Sequence, residues 1–477
     1  MIWRQKFEHD LATDDWSPIP TQIVSNEEYV PLPPTPEQRH VAHRLREKSA
    51  RHAARLGVSR REFLQTSCGM ATAFLAMNAV FGRFFDVEPV EAWEQAAGAA
   101  RAPQGQFILD VQTHHVRAGW QSRTRLERRE TARRWSRDIG PPKWEDVYLA
   151  NYIKEVFLDS DTSVAVISGV PATTDARNSL PVDQMVETRE IVNRLAASRR
   201  LVAHGLIAPT FGPRDLDSME RQAKDLKVAA WKGYTGGIQG APRGHAWAVD
   251  DERVSYPMLQ TARRLGVKNI CLHKGLPFPS TRPEDWHPRD VAKAARDFPD
   301  LNFIVYHSGF KDVREARAVD LSRPPARIDW VTDLCEIRQK NPALTNIYAE
   351  LGSTFGITAI TAPQLCAHIL GMLIQHLGTD HVLWGTDSIW WGSPQWQIEA
   401  FRRLTMPEGL MRTFGYQPLT PAVKAQILGL NAAAVYGIDP AAMVNPIRSD
   451  FVSKLKAAYR EDGPRPSLTQ YGWVLGT

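Results

Sequence analysis

From Phe107 onward, short apolar runs alternate along the chain with stretches of helical period, and several runs stop on a polar residue of metal-binding type. They read Phe107-Ile-Leu-Asp-Val-Gln-Thr-His114, Trp231-Lys232, Ile270-Cys-Leu-His273, Ile304-Val-Tyr-His307, Ile347-Tyr-Ala-Glu350 and Val382-Leu-Trp-Gly-Thr-Asp387. The pattern predicts strands over 107–112, 163–168, 201–207, 227–232, 268–273, 303–307, 346–350 and 382–386. Helices are expected over 182–198, 215–225, 256–265, 288–297, 327–339 and 364–377. Strands alternating with helices make right-handed βα units, and eight of them favour a closed (β/α)8 TIM barrel of the α/β class. Such a barrel carries its chemistry at the C-terminal ends of its strands, which is where these polar residues fall.

The barrel should fill residues 101–460, with an N-terminal extension over 1–58, a distinct segment over 59–100 and a tail over 461–477. A helix over 420–437 and a helical C-terminal region follow the last strand. Pro31-Leu-Pro-Pro-Thr-Pro36 marks a loop or extended arm, residues 36–57 are basic and helix-compatible, and 98–105 reads as a linker. The first connection, 113–162, is long and basic, as suits a loop that shapes a pocket.

Composition narrows the partners. A net charge of +5 over 477 residues is small, and its excess gathers in 39–61 and 117–137. These clusters read as solvated helix faces, with no nucleic-acid motif beside them. No Gly-rich phosphate loop follows the first strand, which argues against nucleotide binding. The four cysteines, Cys68, Cys271, Cys335 and Cys366, show no paired spacing, so disulfides are not expected. Strand alternation points Cys271 into the barrel with His273, as a buried, inert thiol.

Ser59-Arg-Arg-Glu-Phe-Leu-Gln65, followed by a mildly apolar stretch from Met70 to Phe85, resembles a twin-arginine export signal. It implies a periplasmic protein with transient contact to a membrane or export machinery; without a functional signal the protein is cytoplasmic. The alternative is a helix that packs on the protein. The stretch is short for a membrane span and contains Arg83.

Imidazole and carboxylate at strand ends suit a divalent ion, with zinc first and manganese or iron behind it. Asp110-Val-Gln-Thr-His114, Leu272-His273-Lys-Gly275, Tyr306-His307-Ser-Gly309, Gly385-Thr-Asp387 and Asn431-Ala-Ala-Ala-Val-Tyr436 occur in order. With them the chain resembles the amidohydrolase superfamily, in the branch of aminocarboxymuconate-semialdehyde decarboxylase and the resorcylate decarboxylases. The resemblance covers about residues 105–445. It implies that Gln112, His114, His273, His307 and Asp387 surround one metal. Gln112 stands where the family's first strand has a histidine, or in some members glutamate, and is a weak neutral ligand. His307 implies a ligand or acid/base, and Asp387 a ligand that takes the proton of water. His115 should point away from His114.

Lys232 falls where superfamily relatives carry a fourth-strand lysine, which bridges two metals when carboxylated; it could equally hold a substrate carboxylate. Glu350 could bind metal, touch substrate, or pair with Lys232 or Lys274. Trp384, Trp390, Trp391 and Trp396 crowd the last strand's end, and Trp390 is a candidate to stack on a flat substrate. The first expectation is a metal-dependent hydrolase that uses metal-activated water on an amide, ester or lactone of a small aromatic or carboxylate substrate. The alternatives are non-oxidative decarboxylation of an aromatic or unsaturated acid, a binuclear oxygenase, and a barrel that only binds. The resemblance also implies a homodimer.

Overall fold

The computed structural model describes residues 2–6, 10, 16–24, 32–101, 105–121, 130, 144–241, 244–278, 281–464 and 473–476. Its centre is one eight-stranded parallel sheet: Leu109–Thr113 (β1), Val164–Ile167 (β2), Leu201–Ile207 (β3), Ala230–Tyr234 (β4), Asn269–His273 (β5), Asn302–Tyr306 (β6), Ile347–Glu350 (β7) and Val382–Leu383 (β8). Each strand pairs with its successor in sequence. The ring closes where the Val111 N–H donates to Trp384 O at 3.0 Å and Thr113 bridges to Ser388. This is the (β/α)8 barrel that the alternating pattern predicts.

Inside the ring, Leu109, Val111, Val164, Val166, Val202, Ala230, Cys271, Ile304 and Leu383 pack as one buried cluster. Trp231, Ile270, Leu272, Phe303 and Val305 face the helices instead. That alternation is the period of two that decides which residues can reach the axis.

Three boundaries differ from expectation for physical reasons. The fourth strand starts later, at Ala230, because Lys227 is left-handed (φ 52°) and belongs to the preceding turn. Lys232 is therefore mid-strand and not at the rim. The eighth strand is only Val382–Leu383. Beyond it Gly385 lies against Glu350, and left-handed Asp387 (φ 61°) takes the chain out of strand conformation. The expected linker begins as helix, Gln95–Arg101, while 102–104 lie outside the described residues. So do 122–129 and 131–143 of the first connection, together with most of the tail over 465–477. The described part of that tail, Trp473–Gly476, pairs antiparallel with Ile2–Gln5.

The N-terminal segment is helical and packed. Helix Pro36–Leu56 is capped by Thr35 and Gln38, and helix Arg60–Leu64 by Ser59 and Glu62. Phe63 and Leu64 are fully buried, and the Arg61 guanidinium lies 4.1 Å from the Trp16 ring centroid. Helix Ser67–Phe81 buries Cys68, Ala71, Phe74 and Met77. Gly69 allows its close approach, since a Cβ there would sit 2.5 Å from Leu64 Cα. Past this helix the chain is tied to the barrel: Asp86 N–H donates to Arg403 O at 2.7 Å, and Arg403 pairs with buried Glu91 at 2.8 Å. Among the described residues no single helix is long and apolar enough to cross a membrane.

At the other end, Asp450 caps helix Phe451–Glu461 and receives two hydrogen bonds from buried Arg200, from Nε at 2.6 Å and from Nη2 at 2.9 Å. This joins the C-terminal helices to the start of β3.

Candidate active site

A small cavity of about 50 Å³ opens at the C-terminal end of the barrel. Gln112, His114, His273, His307, Asp387 and Trp390 all line it. Five of these come from four separate strand ends, so the barrel gathers what the sequence spreads over some 275 positions. A register shift between Asp110 and Thr113 bends the end of β1 there, a common device for re-aiming side chains.

The polar groups form two pairs. In one, His114 Nε2 lies 3.0 Å from Asp387 Oδ1, and Gln112 Nε2 stands 3.0 Å from the same oxygen and 3.4 Å from His114 Nε2. In the other, His307 Nε2 lies 3.2 Å from His273 Nδ1. Among the described residues no three His, Cys, Asp or Glu side chains are placed close enough together to hold a metal ion as they stand.

Each outer ring nitrogen of His114 and His307 meets a carbonyl. His114 Nδ1 donates to Ser168 O at 2.9 Å, and His307 Nδ1 donates to Gly352 O at 2.7 Å. A carbonyl accepts only, so these contacts fix a proton on Nδ1 and leave each Nε2 pointing inward. Burial pushes His273 well below the ordinary imidazole value and, against the pull of Asp387, brings His307 to about 4. Both are neutral at pH 7. Burial also opposes ionisation of Asp387, but its hydrogen bond and attraction to His114 outweigh that and hold it at about 2. Gln112 Oε1 and His273 Nε2 are buried without a partner among the described residues.

The backbone is strained at the same place. His307, Ser308, Ser353 and Asp387 are non-glycine residues at φ between 52° and 61°. Left-handed backbone at such residues costs about 1–3 kcal/mol apiece and persists where surrounding contacts enforce it. Here Glu350 supplies much of the enforcement. Its buried carboxylate accepts the His307 N–H at 3.0 Å and the Gly352 N–H at 2.6 Å. Burial raises its pKa to about 8, opposed by the His307 N–H and by Lys232.

Glu350 therefore does not line the cavity, and Lys274 is not its partner: the Lys274 amine donates to Asp290 at 2.7 Å. Lys232 lies beneath the cavity, fully buried, its Nζ 3.3 Å from the Tyr306 ring centroid and without a hydrogen-bond partner among the described residues. Burial lowers its pKa to about 8. Cys271 points inward as expected, its thiol raised by burial to about 11. His115 lines the cavity edge but turns outward to Thr188 Oγ1 at 2.8 Å.

The walls are aromatic. Trp390 stacks near His114, with centroids 6.0 Å apart, and Tyr234 stacks on His273 at 4.6 Å. Phe278 and Trp120 complete them. Trp384 is instead core, packed on Phe355 and Phe401. Sequence reading missed Tyr234, Phe278 and Ser353. The continuation of β4 past Lys232 would have revealed Tyr234, two positions on and so on the same face. Nothing local marks the other two.

The family model described as amidohydrolase matches residues 109–438, from the first barrel strand to the helix after the last. No protein of curated function matches the chain. Among solved structures, an uncharacterised TIM-barrel protein from Bordetella bronchiseptica is 16% identical, with 71% of this chain and 99% of that one covered at a TM-score of 0.43. The 2,6-dihydroxybenzoate decarboxylase from Rhizobium is 14% identical, covering 70% and 99% at 0.38. A probable 2-pyrone-4,6-dicarboxylic acid hydrolase from Acinetobacter baumannii is 10% identical, covering 69% and 99% at 0.42. None of these three likenesses bears on the reaction. The family model spans more than half of the chain, and the chain belongs to the amidohydrolase family.

Proposed function

We propose that the protein is a metal-dependent hydrolase acting on an amide, ester or lactone of a small substrate. One observation carries the metal: His114, His273, His307 and Asp387, from separate strand ends, meet in one small cavity. With Nδ1 of His114 and of His307 committed to carbonyls, Nε2 of His114 points at Asp387 Oδ1 and Nε2 of His307 at His273 Nδ1. A cation bound there would take the imidazoles and the carboxylate as ligands in place of these contacts.

The residues present therefore fit a divalent ion, held by His114, His273, His307 and Asp387. Gln112 would join through Oε1 after a half-turn of its amide, an orientation that hydrogen bonding and not shape decides. Bound there, the ion would polarise a carbonyl and acidify water.

The chain's own groups do the rest. Asp387 is ionised, so it is the base that takes a proton from water. Asp387 then returns that proton to the leaving group, while neutral His307, its Nδ1 proton held by Gly352 O, keeps Nε2 directed inward. Trp390, Tyr234 and Phe278 wall off solvent, which strengthens each electrostatic contact inside.

The aromatic walls also suit a flat aromatic acid, which favours non-oxidative decarboxylation as the second reading. Hydrolysis in ¹⁸O-labelled water separates the two. Label in the acid product of a lactone or ester supports hydrolysis; release of carbon dioxide from an aromatic acid without label overturns it. Glu350 accepts two backbone N–H groups and does not line the cavity, which counts against its serving as the extra carboxylate of a binuclear oxygenase. The arginine pair at 60–61 supports export of the chain. Cell fractionation of the Arg60→Lys, Arg61→Lys double variant tests this: retention in the cytoplasm is expected, and unchanged distribution contradicts it.

A further inference from the structure

Ser353 lies in the turn after β7, nearly buried, and no motif in the sequence singles it out. Its Oγ receives the Trp391 indole N–H at 2.9 Å and lies 2.5 Å from Asp387 Oδ2. An indole nitrogen only donates, so it occupies a lone pair of the hydroxyl. The single Ser353 proton is then left for Asp387 Oδ2. The other carboxylate oxygen, Oδ1, faces His114 and Gln112 in the cavity.

We propose that Ser353, locked by Trp391, is a positioning residue that ties Asp387 Oδ2 to the scaffold and so reserves Oδ1 for the cation and the reacting water. The backbone supports it. Ser353 is held at φ 57° directly after Gly352, whose N–H goes to Glu350 and whose carbonyl orients His307. The same four-residue turn, 350–353, thus sets the His307 ring and the Asp387 carboxylate together. Both contacts act only through other residues, so neither Ser353 nor Trp391 touches substrate in this account. Partners that orient a ligand in this way are worth about 10- to 100-fold in metal affinity.

This inference rests on the metal-binding reading above, and cobalt(II) binding followed by its visible spectrum separates the two. In protein stripped of metal, Ser353→Ala should bind cobalt about 10- to 100-fold more weakly. Its spectrum should also shift, because the Asp387 carboxylate is free to turn. Trp391→Phe keeps the ring and removes only the indole donor; it should show the same spectral change with a smaller loss of affinity. The melting temperature of each apo variant reports its fold, and Trp391→Phe keeps the test alive if Ser353→Ala fails to fold. Unchanged affinity and spectrum in either folded variant, beside a wild type that binds cobalt, overturns the role of Ser353 alone. A wild type that binds no cobalt overturns the metal reading and this inference with it.

Discussion

Gly385→Ala isolates the packing that shapes the site. A Cβ at this position would fall 1.7 Å from Glu350 Oε1 and 3.2 Å from Gln112 Cβ. Gly385 does not have positive φ, so the substitution acts through space and not through backbone strain. The methyl must expel the Glu350 carboxylate, which then releases the His307 and Gly352 N–H groups. Each buried donor left without an acceptor costs about 1–3 kcal/mol, giving a loss of about 2–6 kcal/mol for the pair. Glu350→Gln keeps the shape but turns one acceptor into a donor facing an N–H, so it should lose about 1–3 kcal/mol. Both changes act on the same two bonds, and the double variant should therefore lose less than their sum. Equilibrium urea unfolding measures all three. A Gly385→Ala protein within about 0.5 kcal/mol of wild type would refute the claim that this carboxylate clamps the strand ends.

Asp450→Ala should cost about 3–5 kcal/mol, because it leaves the buried Arg200 guanidinium without its carboxylate and uncaps the last long helix; urea unfolding again reads it. Burial raises Asp215 from its ordinary 3.8 to about 7, partly offset by the Ala208 N–H. Between those values the native state holds a proton that the unfolded chain has lost, so stability falls as pH rises through the window. Asp215→Asn should abolish that fall and be more stable than wild type at pH 8; a parallel pair of stability–pH curves would contradict it. Trp390→Ala removes one wall of the cavity and should raise KM for any flat substrate found more than it lowers kcat, as steady-state kinetics will show. Gln112→His places a stronger donor beside His114 and Asp387 and should tighten metal binding in a competition titration.

The barrel was legible because its strands are almost wholly buried and read as apolar runs between amphipathic helices. His114, His273, His307 and Asp387 were legible because each closes such a run. What failed to show was what depends on backbone outside the strands. Lys232 looked like a rim residue until left-handed Lys227 delayed the start of its strand. Glu350 left open metal, substrate or an ion pair, because the two N–H groups that it accepts, from a turn and a β6 end, are not encoded in its own strand. Ser353 and Trp391 meet across 38 positions, and no local period encodes that contact. The helix Ser67–Phe81 shows a further limit: its mild apolar character suits both an export signal and the packed helix observed.

Elemental analysis tests the central claim most directly. Protein made with zinc, manganese and iron in the medium should carry about one tightly held divalent ion per chain, and His273→Ala and Asp387→Ala should each lose most of it while keeping the wild-type far-UV spectrum. Wild-type protein free of metal under those conditions, or both variants fully loaded, would contradict the account.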